Sequence, residues 1–135
     1  MDKQEVIRQV HSLNLPHGEY VVYGSGPLAA LGIRSVNDID MLVSSRLLKE
    51  LAEKGWVKEY KGELDEPLTH GVFEAYDNWN FSKYSPPLEE LLDRSFTVDG
   101  VTFASVEDVL KWKASGARNK DKADVTLIKE YLRTL

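Results

Sequence analysis

Apolar positions first recur near the start of the chain, where Val6, Ile7, Val10 and Leu13 fall at helical spacing and predict an amphipathic helix over residues 2–13. The run Asn14-Leu15-Pro16-His17-Gly18 breaks it. Val21, Val22 and Tyr23 form a short β-prone run that stops at Gly24. Gly24-Ser25-Gly26 reads as a sharp turn into a short helix over residues 28–31, with Pro27 in its first turn and Gly32 as its stop. Asp38-Ile39-Asp40 then opens the strand Met41-Leu42-Val43. Ser44 or Ser45 caps a helix to residue 54, with Leu47, Leu48 and Leu51 inward and Gly55 as its end.

Residues 56–60 read as a strand with one half-buried face, 61–68 as an exposed turn or loop, and 69–76 as one central strand. Residues 78–84 are aromatic and polar, with Trp79, Phe81 and Tyr84. Pro86-Pro87 interrupts regular structure before a short helix over 88–92. Phe96-Thr97-Val98 and Val101-Thr102-Phe103 flank Asp99-Gly100, a two-residue hairpin signal. Ser105 caps a helix with Asp108 near its positive end, a buried face of Val106, Val109 and Leu110, and Gly116 as its end. A last helix over 120–132 is expected to bury Val125 or Ala123 with Leu127, Ile128, Tyr131 and Leu132. The whole is one α/β domain over residues 1–135: a mixed sheet of about four or five strands, helices packed on it, and helices at the C-terminal end.

Composition narrows the function classes. A chain of 135 residues builds one core. The formal charge of −5 argues against broad nucleic-acid binding, although a nucleic-acid end in a local basic cleft stays compatible with it. The absence of cysteine excludes a disulfide framework, a thiolate nucleophile and a cysteine zinc site. His11, His17 and His70 lack metal-ligand spacing and read as structural or exposed. No apolar run approaches membrane-spanning length and the first residues are no signal peptide, so the expected compartment is the cytoplasm.

The chemistry concentrates in residues 20–43. Alternate residues of a strand share a face, so Asp38 and Asp40 point the same way while Ile39 packs behind them. Two carboxylates on one face repel unless a cation neutralises them, and oxygen ligands of this kind suit magnesium or manganese. Glu74 is a second anomaly, a carboxylate among apolar β-prone neighbours, where charge is rare unless paired or metal-bound. Asp77, at the end of the same run, is the alternative.

Gly24-Ser25 followed after twelve residues by Asp38-Ile39-Asp40 resembles the active-site signature of the DNA polymerase β-like nucleotidyltransferases. The resemblance is to their small single-domain members, the minimal, lincosamide-type and AbiEii-like enzymes, whose G-I-R-x-T-x-D-I-D block is similar to Gly32-Ile33-Arg34-Ser35-Val36-Asn37-Asp38-Ile39-Asp40. A softer resemblance links Arg118-Asn119-Lys120-Asp121-Lys122-Ala123-Asp124 to their R-x-K-D-x-x-D element.

The resemblance implies transfer of a nucleoside monophosphate from a nucleoside triphosphate, dependent on Mg2+ or Mn2+, to a hydroxyl on a small molecule, an RNA or a protein. Asp38, Asp40 and Glu74 would be the catalytic and metal-binding carboxylates, although the family more often has Asp in the third place. Gly24 and Ser25 would receive the β- and γ-phosphates, and Arg34, Lys113, Arg118 and Lys120 are the cations for the triphosphate. Tyr23, Trp79 or Tyr84 would stack on the base. Plainer roles compete: Arg118 with Asp121 as a helix-start ion pair, Lys113 in solvent, and Trp56, Trp79 and Trp112 as core aromatics. The rival whole-chain expectation is a non-catalytic nucleotide-binding or interaction module of the same fold, for instance half of a toxin–antitoxin pair; a homodimer is also compatible. A D-x-D glycosyltransferase is disfavoured because the chain has no room for an acceptor half.

Overall fold

The computed structural model describes residues 1–116 and 118–135. In chain order its elements are α1 (Lys3–Leu13), β1 (Tyr20–Tyr23), α2 (Gly26–Ala30), β2 (Ile39–Val43), α3 (Ser45–Glu53), β3 (Val57–Lys58), β4 (Leu68–His70), β5 (Phe73–Tyr76), α4 (Leu88–Asp93), β6 (Phe96–Val98), β7 (Val101–Phe103), α5 (Val106–Ser115) and α6 (Asn119–Arg133). Local chemistry accounts for most of the boundaries. Asp2 and Glu5 close a capping box at the start of α1. Ser44, rather than Ser45, caps α3, and Ser105 caps α5. Asp99 and Gly100 both take positive φ, 49° and 81°, as the tight β6–β7 turn demands.

The strands form one mixed sheet of seven in the order β3-β4-β5-β2-β1-β7-β6. That exceeds the four or five expected, because two segments divide differently. Residues 69–76 are not one strand but the hairpin β4–β5, turned at Gly71-Val72 with Gly71 at φ 57°. The strand expected over 56–60 shrinks to Val57–Lys58, at the sheet edge.

In the centre, β2 runs antiparallel to β1 and parallel to β5, and β1 is parallel to β7. Alternation along these strands builds two cores. Ile39, Met41 and Val43 join Val6, Ile7 and Val10 of α1 and Leu47 and Leu51 of α3 on one face. Val21, Tyr23, Leu42 and Tyr76 join residues of α4, α5 and α6 on the other. Asp40, between Ile39 and Met41, is thereby sent to the second face. The buried face of α6 differs from the one expected: Asp121, Asp124 and Ile128 are buried, whereas Ala123 is exposed. Among the described residues no helix is long and apolar enough to cross a membrane.

Candidate functional site

A cleft of about 670 Å³ opens on the second face, and Ser25, Arg34, Asp38, Asp40, Glu74 and Lys113 all line it. The sheet creates the juxtaposition. Asp40 is paired in register with Tyr23 on β1 and with Glu74 on β5, so the turn after β1 and the third carboxylate meet at one residue. Asp38, just before β2, is exposed in the same cleft.

Gly24 lies directly against Asp40. A Cβ there would come within 2.4 Å of Asp40 Oδ2, and Gly24 also holds φ at 61°, so both space and backbone require glycine. The other oxygen, Asp40 Oδ1, is buried with no hydrogen-bond partner among the described residues. Burial first, and then the charge of Asp38, pushes the Asp40 carboxyl from its ordinary 3.8 up to about 6, against the pull of Lys61 and Lys113.

Across the cleft stands a wall of alternating charge. Ser25 Oγ accepts from Lys113 Nζ at 3.0 Å and from Arg34 Nη2 at 3.1 Å. With both lone pairs engaged, its hydroxyl hydrogen is left to donate into the cleft. Arg34 grips Asp124 in a two-pronged pair at 2.7 and 2.8 Å. Lys113 is only 3% exposed and lies 2.8 Å from Asp124 and 3.6 Å from Asp121. Arg118 Nε pairs with Asp121 at 2.7 Å, the helix-start bond weighed from sequence. Burial opposes ionisation of Asp124, but the bonds from Arg34 and Lys113 outweigh it and hold the carboxyl below its usual range. Three cations share two carboxylates, so this wall keeps one positive charge.

Each of the three cations expected at the triphosphate, Arg34, Lys113 and Arg118, is thus held by an aspartate of α6, and for Arg118 the partner is the Asp121 expected from the sequence. The sequence signal was present, because Asp121, Asp124 and Ile128 lie at i, i+3 and i+7 on one helix stripe. Lys113 is neither in solvent nor on a surface. Lys120 stands exposed at the rim of the cleft.

The aromatic expectations divide. Tyr23 and Trp79 are buried and pack on each other, ring centroids 4.9 Å apart. The hydroxyl of Tyr84 donates to Asp108 at 2.5 Å. Tyr84 is partly exposed but does not line the cleft. The partly exposed rings lining the cleft are Phe81 and Trp112, the latter read from sequence as core. Trp56 is core, as expected, and His11 bonds the carbonyl of Asp99 at 2.6 Å.

Glu74, not Asp77, is the carboxylate beside Asp40: Asp77 is exposed and accepts from Ser45 and Asn78 instead. Glu74 is ion-paired with Lys61, from the turn over residues 61–65, a pairing for which the sequence carries no signal. Asp65, from the same loop, also lines the cleft and accepts from the hydroxyl of Tyr76 at 3.1 Å. Among the described residues no three carboxylate or imidazole side chains converge on one point as they stand. Asp38 and Asp40 nonetheless fit a hard cation: both offer oxygen, and Asp40 Oδ1 is a buried acceptor with nothing to accept from. No family model, curated protein or solved structure matches this chain.

Proposed function

We propose that this chain is a divalent-cation-dependent nucleotidyltransferase, moving a nucleoside monophosphate from a nucleoside triphosphate to a hydroxyl-bearing acceptor. The observation that carries the proposal is the orphaned, buried Oδ1 of Asp40, in one cleft with Asp38 and directly against the turn at Gly24-Ser25. Asp38 and Asp40 would hold Mg2+ or Mn2+. Bound there, the ion supplies charge stabilisation to the phosphoryl oxygens and acidity to a coordinated hydroxyl.

The chain's own groups divide the remaining work. Ser25 donates its hydroxyl hydrogen to a phosphate oxygen, and the Arg34–Lys113–Arg118 wall sets one positive charge behind it. Phe81 and Trp112 flank the base. The acceptor oxygen bonds to the α-phosphorus as the bond to the β-phosphate oxygen breaks, releasing pyrophosphate. Glu74 takes the acceptor proton.

A thermal-shift panel of ATP, GTP, CTP and UTP, with and without Mg2+, tests this on the wild type and on a Asp38→Asn/Asp40→Asn double variant. Near-saturating nucleotide is expected to raise the melting temperature by roughly 5 °C, only with Mg2+ and only in the wild type. An equal shift in the double variant overturns the proposal. A second reading, the non-catalytic nucleotide-binding module, is favoured by the prior pairing of Glu74 with Lys61. Nucleotide binding without pyrophosphate release from any offered acceptor would support that reading instead.

A further inference from the structure

Lys61 is no loose surface lysine. Its backbone N–H donates to the Asp65 carbonyl at 2.8 Å, and the Asp65 N–H donates to the Gly62 carbonyl at 3.0 Å, closing a tight turn in which Leu64 takes φ 65°. The turn is pinned over the cleft because Asp65 accepts from the hydroxyl of Tyr76, two residues after Glu74 on β5. Lys61 Nζ is thereby delivered onto Glu74 Oε1, and both side chains are largely covered, at 32% and 16% exposed. Its charge also reaches Asp40, the register neighbour of Glu74.

We infer that Lys61 is a built-in cation standing where a second metal ion would otherwise sit, so that the site takes one divalent ion, at Asp38 and Asp40. This rests on the nucleotidyl-transfer proposal and deepens it. Two physical arguments carry it. Glu74 has spent a carboxylate oxygen on the ammonium, so the pocket between Asp40 and Glu74 lacks a ligand that a second ion needs. A divalent ion placed there would also meet the ammonium at contact distance in a half-buried setting, where repulsion is weakly screened. The turn anchored by Asp65 keeps Lys61 from swinging away at little cost. Lys61 acts through Glu74 and Asp40, as a positioning residue for the carboxylates.

Isothermal titration calorimetry with MnCl2, without nucleotide, tests the inference on the wild type, Lys61→Met, Lys61→Arg and Lys61→Met/Glu74→Gln. Circular dichroism and melting curves establish that each variant is folded. The wild type and Lys61→Arg are expected to bind one Mn2+ per chain, Lys61→Met two, and the double variant one again. Should Lys61→Met fail to fold, Lys61→Gln, which also removes the charge, is titrated in its place: two ions support the inference and one overturns the role of Lys61. Two ions in the wild type, or one in a folded Lys61→Met, overturns the role of Lys61 while leaving the nucleotidyl-transfer proposal standing. No Mn2+ bound by any of the four overturns both.

Discussion

At the scale of single residues, the contact between Gly24 and Asp40 joins backbone strain to chemistry. Gly24→Ala forces a β-carbon into Asp40 Oδ2 and holds an L-residue at φ 61°. The backbone penalty alone is about 1–2 kcal/mol, so a lowered urea midpoint is expected and, on the proposed function, loss of nucleotide binding with it. Asp40→Asn should act the other way on stability. The folded carboxyl titrates near 6, above its ordinary 3.8, so the native state holds a proton that the unfolded chain has released between those values. Stability is therefore lost as pH rises through that window, and metal-free wild type carries the full penalty above it. The neutral Asn variant escapes it. In EDTA, Asp40→Asn is expected to be more stable than wild type by about 1–3 kcal/mol at pH 8, the gain fading toward pH 4. Urea unfolding of both proteins at a series of pH values checks this, and equal stability at pH 8 would remove the electrostatic account of Asp40.

At the scale of elements, Asp108 in the first turn of α5 is the fastening between the cleft's aromatic rim and its helical floor. Its carboxylate accepts from Tyr84 at 2.5 Å, from Arg94 at 2.9 and 3.0 Å and from Ser105 at 3.0 Å. Hydrogen bonds to a buried charge contribute more than neutral ones, so Asp108→Ala should cost roughly 3 kcal/mol. Faster hydrogen exchange over residues 79–84 would report the release of the rim that carries Phe81. Elements with a clear period or turn signal were legible in the sequence: α1 from Val6, Ile7, Val10 and Leu13, α3 behind Ser44 or Ser45, and the hairpin at Asp99-Gly100. The β4–β5 turn was not, because Gly71-Val72 interrupts a continuous β-prone run whose pairing is set by β2. Of the candidate site, Gly24, Ser25, Asp38, Asp40 and Glu74 were legible and do line or adjoin one cleft. Lys61 and Asp65 were not, since side chains in a turn follow no period. Asp121 and Asp124 share a stripe with Ile128, but which cations that stripe meets is set by the packing of α6 on α5, and the sequence pattern does not carry it.

At the scale of the whole molecule, resistance to acid should depend on Asp108 and Asp124, buried carboxylates that bind the adjacent helices α5 and α6 to their neighbours. Burial works against ionised Asp108, as it does for Asp124, but in each case hydrogen bonds from cations prevail and the folded value lies below the ordinary 3.8. The sign is opposite to that of Asp40: the stabilisation is present above the unfolded value and is lost as pH falls through the depressed folded one. Acid unfolding followed by circular dichroism is therefore expected to begin below about pH 4, and Asp108→Ala should flatten that limb of the curve.

The partnership between α6 and the loop after α2 also has a consequence in time. Arg34 and Asp124 are 90 residues apart, and at roughly 5–20 residues per second the ribosome needs several seconds to make the stretch between them. Throughout that interval the nascent chain carries Asp38 and Asp40 but lacks the aspartates that hold Arg34 and Lys113 against Ser25. On the proposed activity, the charged wall behind Ser25 is therefore complete only once α6 has been made.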